Sequence, residues 1–346
     1  MHNNRVYNST AAFVMPHKMG SSKYAYEHLK CAVNSVIEQS DNDWILIIVD
    51  DYSNDTRSNT FLKSVEEEFS GKIIVLHTDR NIGAGEARNL GIMEAAKRKA
   101  SFILFIDDDD ISDNNRLKTT RRLFDADNST NVVYSSFLVI DELGQVVDTE
   151  MISPSVRDIL EGHKSDIVDG SNSWIPIATM KNYTNLTSCT AVKTELAIKE
   201  PFPAYSVSED SNTWLRYGAY PGTFRFIDGM KNYYRVCSGT SSRSRAENSN
   251  FYQQKALAEV QGVNKALEIS REYGLISSDE GFEIKVRFFV RLSLSMIYGE
   301  EIDLAKEYYL RAFNMSQAIT DDAVSRLQFI NTSFSEKYKK MIVEVK

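Results

Sequence analysis

Cysteine is scarce. Cys31, Cys189 and Cys237 are the only three in 346 residues. They lie far apart and form no C-x-x-C pair, so neither a disulfide framework nor a zinc site is expected. Reduced thiols in the cytoplasm fit this usage. No apolar run reaches the roughly 18 residues of a bilayer-spanning helix. No N-terminal stretch combines basic residues, an apolar run and a small-residue cleavage site, so no leader is expected. A protein of this kind would visit a membrane surface without crossing it. Basic excess is also missing: Lys and Arg number 40 against 48 Asp and Glu, a formal net charge of -8. That argues against a general nucleic-acid binder, which needs a basic surface. It leaves room for a nucleotide whose charge a metal ion offsets. The rest is ordinary for a globular chain, with 42% apolar and 25% charged residues, enough for one large domain or two smaller ones.

The first half alternates between two hydrophobic periods. Ala11 to Met15 is a short apolar run closed by Pro16. Leu29, Val33, Val36 and Ile37 then share one helical face, with Ser21 or Ser22 as the expected N-cap. Trp44 to Val49 is too short and too apolar for a surface helix and predicts a strand buried on both faces. A helix through Phe61, Leu62, Val65 and Phe69, a strand at Ile73 to Leu76, a helix at Ala84 to Lys99 and a buried strand at Phe102 to Ile106 follow. Asn131 to Ile140 predicts a further strand, with a hairpin turn around Gly144. This order implies an α/β fold with a mostly parallel sheet flanked by helices. Such sheets bind ligands beyond the carboxyl ends of their strands. The 151–205 stretch is irregular, apart from a strand at Ala191 to Val192. A helix begins near Glu209 and carries Trp214, Leu215 and Tyr217. Beyond about 247, Gly and Pro thin out and four helices are expected.

Five segments could carry chemistry. In Phe105 to Asp110 a buried strand runs into four consecutive carboxylates. These repel one another unless solvent or a cation offsets them. In an extended chain Asp107 and Asp109 would point one way and Asp108 and Asp110 the other. One pair could hold Mg²⁺ or Mn²⁺ through oxygen, with a nucleotide diphosphate completing the shell. The alternative is a solvated loop with Asp113 capping the next helix. In Val49 to Asp55 a second strand ends in paired acids, Asp50 and Asp51, which could accept from a base imide or ribose hydroxyls. Asp55 and Thr56 also suit an N-cap there. In Arg80 to Gly91, Gly83 and Gly85 allow close backbone approach at a helix start facing a phosphate, and Arg88 could reach a diphosphate. The third glycine of a dinucleotide fingerprint is missing, since Arg88 takes its place. In Ser208 to Asp210, Ser208 could cap a helix, and the acids could simply answer its dipole or supply a general base. Glu209 and Asp210 diverge by about 100° on a helix and should not share one task. Tyr233 to Arg245 ends in a Ser-, Gly- and Arg-rich loop that includes Arg243. It could fold over a diphosphate or act as a linker.

In this order the segments resemble the family 2 glycosyltransferases of the GT-A fold. The matching residues are Pro16; Asp50, Asp51, Ser53 and Asp55; Asn81, Gly83, Ala87, Arg88, Asn89 and Gly91; Asp107, Asp109 and Asp110; Glu209, Asp210, Trp214, Leu215 and Arg216; and Tyr234 with Arg235. The resemblance covers about residues 10–245. It implies a catalytic domain over 1–245; the helical pattern beyond it, which the resemblance does not cover, gives a helical C-terminal region over 246–346. Many members carry a histidine where this chain has Cys237, so a histidine contact to metal or phosphate is not carried over.

The resemblance further implies an inverting, metal-dependent transfer of a sugar from a nucleotide-diphosphate donor to a glycan hydroxyl. Asp50 and Asp51 would bind base and ribose, and Pro16, Arg88 and Asp107 would complete the donor site. Asp109 would be the main ligand of Mn²⁺ or Mg²⁺, and Asp210 the catalytic base. Asp108 and Asp110 stand in reserve should the motif shift by one position. Glu209, Asp110 and Arg243 are accessory candidates. A UDP-sugar is the favoured donor, and a glycan or lipid-linked glycan of a bacterial surface polysaccharide the favoured acceptor. The expected place is the cytoplasm, with the inner membrane face as an option. The C-terminal helices could pack on the catalytic domain, form a homodimer or rest on a membrane. Two rivals are a sugar-nucleotide pyrophosphorylase, whose basic glycine-rich loop Pro16 to Tyr24 fits poorly, and a calcium-holding scaffold, whose loop glycine is absent.

Overall fold

The computed structural model describes residues 10–148, 152–180, 184–236, 249–327 and 332–345. These form two compact units. The first takes the described residues of Met1–Val147, Asn185–Ser206 and Arg225–Gly239, the second those of Asp148–Thr184, Val207–Phe224 and Thr240–Lys346.

The first unit is built on a seven-stranded sheet in the order β3-β2-β1-β4-β6-β5-β7. The strands are β1 (Ala11–His17), β2 (Trp44–Asp50), β3 (Ile73–His77), β4 (Phe102–Phe105), β5 (Thr130–Ile140), β6 (Thr190–Lys193) and β7 (Thr223–Arg235). The first four named run parallel, with Val14 opposite both Ile47 and Phe105. β6 then pairs antiparallel with both β4 and β5. The α/β expectation holds, and the sheet is mixed.

Every residue of β1 is buried, as a strand covered on both faces requires. Side chains alternate between faces. Phe13, Met15, Leu46, Ile48 and Leu104 join one core with Leu29 and Val33 of α1 (Ala25–Ile37), Leu62 of α2 (Thr56–Glu68) and Leu117 of α4 (Arg116–Ala126). Each such side chain contributes about 1.5–3 kcal/mol. On the other face α3 (Ala84–Lys97) meets β1 through Gly91, where an added Cβ would lie 2.5 Å from Val14 Cγ1. The glycine lets the helix approach a strand lined with valine.

Three expected caps differ. α1 starts at Ala25 behind Tyr24 without a side-chain cap; the Ser22 hydroxyl instead accepts from the Tyr24 amide at 3.2 Å. α4 begins after Asn115, because the Asp113 carboxylate is taken by the amides of Asn115 and Lys231. Ser208, before α8 (Glu209–Tyr217), adopts φ 58° and its side chain makes no cap. Asp55 does cap α2, accepting from the amides of Arg57 and Ser58.

The irregular 151–205 stretch contains three helices that no clean periodicity announced: α5 (Pro154–Ser165), α6 (Trp174–Thr179) and α7 (Thr194–Lys199). In the second unit α8 packs on α6 and on α9 (Phe251–Glu272), and α10 (Ser278–Tyr298) packs on α6 and α11 (Ile302–Met315). With α12 (Gln317–Ser325) and α13 (Thr332–Val345), the described C-terminal residues form five helices where four were expected. α10 opens with a full capping box between Ser277 and Glu280, which satisfies two otherwise orphaned amides. No helix of the described residues is long and apolar enough to cross a membrane.

Candidate active site

The parallel strands β1, β2 and β4 end at one edge of the sheet, and that edge carries the acids. Asp50 is the last residue of β2, in register with His17 at the end of β1. Asp50 is buried; its Oδ1 accepts from the Ser53 amide at 3.2 Å and its Oδ2 lies 3.0 Å from His77 Nδ1. Asp51 is buried and more heavily engaged. Its Oδ1 accepts from the Thr78 hydroxyl and the Ile82 amide, and its Oδ2 from the Gly83 amide at 2.8 Å. Those donors use three of a carboxylate's roughly four acceptor positions. Asp51 thereby ties the loop before α3 to the sheet edge. Gly83, just ahead of α3, has φ 87°, a conformation costly for residues with a Cβ.

The acidic run does not stay extended. The Asp110 amide donates to the Asp107 carbonyl at 3.3 Å, so the four residues turn. The expected alternation into two pairs is lost, because the chain turns and the carboxylates of Asp107, Asp108 and Asp110 each take a different partner. Asp107 Oδ1 accepts from Arg88 Nη2 at 2.7 Å. Asp108 Oδ2 accepts from His17 Nδ1 at 2.6 Å and from the Lys18 amide. Asp110 is buried, accepts from the Arg235 amide at 2.8 Å, and keeps its Oδ2 without a partner of good geometry. Burial pushes the Asp110 carboxyl well above its ordinary value, and the charges of Asp109 and Asp107 push the same way. Asp109 is half-buried, and its carbonyl accepts from Arg235 Nε at 2.8 Å.

This edge fits a hard cation only in company. Among the described residues no group of three or more His, Cys, Asp or Glu side chains is arranged to hold a metal unaided. The donors present are carboxylate oxygens with an excess of negative charge. Mg²⁺ sites of that kind take one or two carboxylates and complete the shell with substrate phosphates and water. Arg88 is held between Asp107 and the ring of Phe202, whose centroid is 5.4 Å from its Cζ.

His17 escaped the sequence reading. It is buried, with Nδ1 on Asp108 and Nε2 lacking a hydrogen-bond partner. The signal was its place directly after Pro16 at a strand end. Asp210, in the second unit, is half-buried in the first turn of α8, and its Oδ1 accepts from the Ser211 amide at 2.7 Å. Glu209 precedes it on the same turn. Arg243 and Cys237 lie outside the described residues. Cys189 is buried, which raises its thiol to about 12 and leaves it protonated.

Residues 22–183, a little under half of the chain, match the model of glycosyl transferase family 2. Over that stretch the chain is similar to the family 2 glycosyltransferases. That region resembles an uncharacterised glycosyltransferase of Methanocaldococcus jannaschii, 26% identical over 121 residues, 35% of this chain and 40% of the relative. It also resembles TuaG of Bacillus subtilis, provisionally named a teichuronic acid biosynthesis glycosyltransferase, 34% identical over 86 residues, 25% of this chain and 32% of the relative. The chain thus spans about two fifths or less of the curated relatives it matches. Two solved structures share the fold over nearly the whole chain. S. aureus TarS 1-349 in complex with UDP-GlcNAc has a TM-score of 0.54 at 16% identity, covering 96% of this chain and 92% of that one. The mannosyltransferase PcManGT of Pyrobaculum calidifontis, in complex with GDP-Man and Mn²⁺, has a TM-score of 0.58 at 12% identity, covering 97% and 85%. The expected GT-A architecture is borne out.

Proposed function

We propose that the protein is an inverting glycosyltransferase, moving a sugar from a nucleoside-diphosphate donor to a hydroxyl of a glycan acceptor. One observation carries this reading: Asp50, Asp51, Arg88 and the Asp107–Asp110 turn stand together at the carboxyl edge of the parallel strands, where open α/β sheets bind nucleotides. In this reading Pro16, Asp50 and Asp51 receive the base and ribose. Arg88, Asp107 and Asp108 frame the diphosphate. Asp109 holds Mn²⁺ or Mg²⁺, with Asp110 in reserve. The cation, when bound, offsets charge on the departing diphosphate.

Asp210 takes the proton of the attacking hydroxyl, Glu209 being the accessory acid. A positioned base typically contributes about 10²–10⁴-fold. A donor with a UDP leaving group is favoured, supported by a fold relative solved with UDP-GlcNAc; a GDP-sugar is the other donor a fold relative carries. A bacterial surface polysaccharide is the proposed acceptor, supported by the name of the Bacillus relative, and the proposed place of reaction is the cytoplasm at the inner membrane face.

The test is a panel of nucleotide-sugars assayed for Mn²⁺-dependent binding and hydrolysis. Asp109→Ala should abolish the metal-dependent part of donor binding. Asp210→Asn should cut turnover about 10²–10⁴-fold while donor binding survives. Turnover by Asp210→Asn close to the unmodified protein would remove Asp210 from the role.

A further inference from the structure

His17 joins the acidic ends of two strands. It closes β1 and is buried, in register with Asp50 at the end of β2. Its carbonyl accepts from the Asp51 amide at 2.7 Å. Its ring reaches the other way, across 91 residues of sequence, and Nδ1 lies 2.6 Å from Asp108 Oδ2. The Lys18 amide donates to that same oxygen at 3.2 Å. Just beyond, the Met19 amide donates to the Ser53 hydroxyl at 3.0 Å. The end of β1 thus holds the loop after β2 on one side and the turn after β4 on the other.

The bond to Asp108 also fixes the ring. A carboxylate oxygen that takes the Lys18 amide is an acceptor, and Nδ1–H supplies its second donor. Nε2 of the same ring is buried and has no hydrogen-bond partner. Nδ1 alone therefore orients the imidazole. Other elements hold the neighbours of Asp108. The Asp107 amide donates to the Ser188 hydroxyl at 2.9 Å. The Asp109 carbonyl accepts from Arg235 Nε and the Asp110 carboxylate from the Arg235 amide, both at 2.8 Å. Adjacent carboxylates repel one another, so the turn keeps its shape only while each such tie holds. The tie at residue 108 comes from His17 and Lys18.

We infer that His17 is a positioning residue for the donor site: through Asp108 it holds the acidic turn to the end of β1, which sets where Asp109 meets a cation. Hydrogen bonds behind a carboxylate ligand commonly tune metal affinity in this way. The inference rests on the reading of Asp109 as the cation's ligand, and two measurements keep the two ideas apart.

The first needs no ligand. Urea midpoints are compared for the full chain, His17→Ala, Asp108→Ala and the double variant. Substitutions at residues in contact do not add, so the double variant should lose less than the two single losses combined. Additive losses overturn the clamp. The second is calorimetric titration of MnCl₂ into the full chain with UDP present. Asparagine carries its amide nitrogen as many bonds from Cα as Nδ1, whereas the nitrogen of glutamine corresponds to Nε2. His17→Asn should keep an affinity close to that of the parent, and His17→Gln should weaken it about 10–100-fold. Should His17→Gln not fold, Asp108→Ala takes its place and should show the same loss. Unchanged affinity in the folded variant, or an equal loss in His17→Asn and His17→Gln, overturns the inference. A parent that binds no Mn²⁺ with UDP present instead strikes the reading of Asp109, and the role given to His17 falls with it.

Discussion

Arg88 Nη2 donates to Asp107 Oδ1 at 2.7 Å, with the guanidinium nearly buried and the carboxylate about one-third exposed. α3 therefore reaches the acidic turn with a cation before any ligand arrives. Arg88→Ala would leave Asp107 without its counter-charge in a turn already rich in carboxylates. Affinity for UDP in the presence of Mn²⁺ should drop about 10–100-fold, equivalent to about 1.4–2.8 kcal/mol. Calorimetric titration reads this directly, and an unaltered Kd would show that the pair is only structural. Lys in this place keeps the charge without the planar fork and should recover part of the loss.

Asp51 offers a sharper chemical test. Its Oδ2 receives the Gly83 amide at 2.8 Å and its Oδ1 the Ile82 amide at 2.7 Å. Asp51→Asn turns one of those acceptors into an amino group facing an N–H. Leaving such a buried group unsatisfied costs about 1–3 kcal/mol. Urea unfolding should show that loss without ligand present. A variant as stable as the parent would mean that the loop before α3 is not held by this carboxylate.

What the sequence disclosed follows from where the physics is local. Strands β1, β2 and β4 were legible because they are buried on both faces and so appear as short apolar runs. Asp55 was legible as a cap because its partners are two and three residues away. Ser208 was not, because a left-handed φ of 58° there turns its side chain away from the cap. The facing pairs expected within Asp107–Asp110 failed for a similar reason. Their partners, Arg88, His17 and Arg235, lie 19 to 125 residues distant, and an alternating extended chain could not anticipate them. The buried cluster of Lys255, Glu259 and Arg291 was hidden altogether. A Lys and a Glu four apart on a helix look like an exposed pair until tertiary packing buries them.

Gly91 sets how close α3 can come to the sheet. An alanine there would place its Cβ 2.5 Å from Val14 Cγ1, with all three Val14 side-chain carbons within 3.4 Å. Val14 is fully buried and confined by neighbouring strands, so helix or strand must shift. Overpacking of this kind costs about 1–3 kcal/mol. The start of α3, with Gly83 and Arg88, would move with it. Gly91→Ala should therefore lose stability and donor affinity together. Val14→Ala in the same chain should recover part of the stability by making room. Failure of that second substitution to compensate would place the strain elsewhere.

His28 gives the pH prediction. It sits on the buried face of α1, with Nε2 2.8 Å from the Glu142 carbonyl. Burial lowers its pKa below the ordinary 6.5, and the Arg235 charge adds to this against the Glu142 carbonyl, which raises it. A histidine depressed in the folded state adds stability above its unfolded value, and that stability is lost as pH falls through the folded value. The hairpin turn at Glu142 should thus loosen from α1 in mildly acid solution. His28→Gln keeps an amide donor for the carbonyl and removes the titration. The stability gap between parent and variant should be widest near pH 8 and shrink from about pH 6.5 downward. Denaturant melts at several pH values measure that gap, and a gap independent of pH would mean that His28 does not titrate differently on folding.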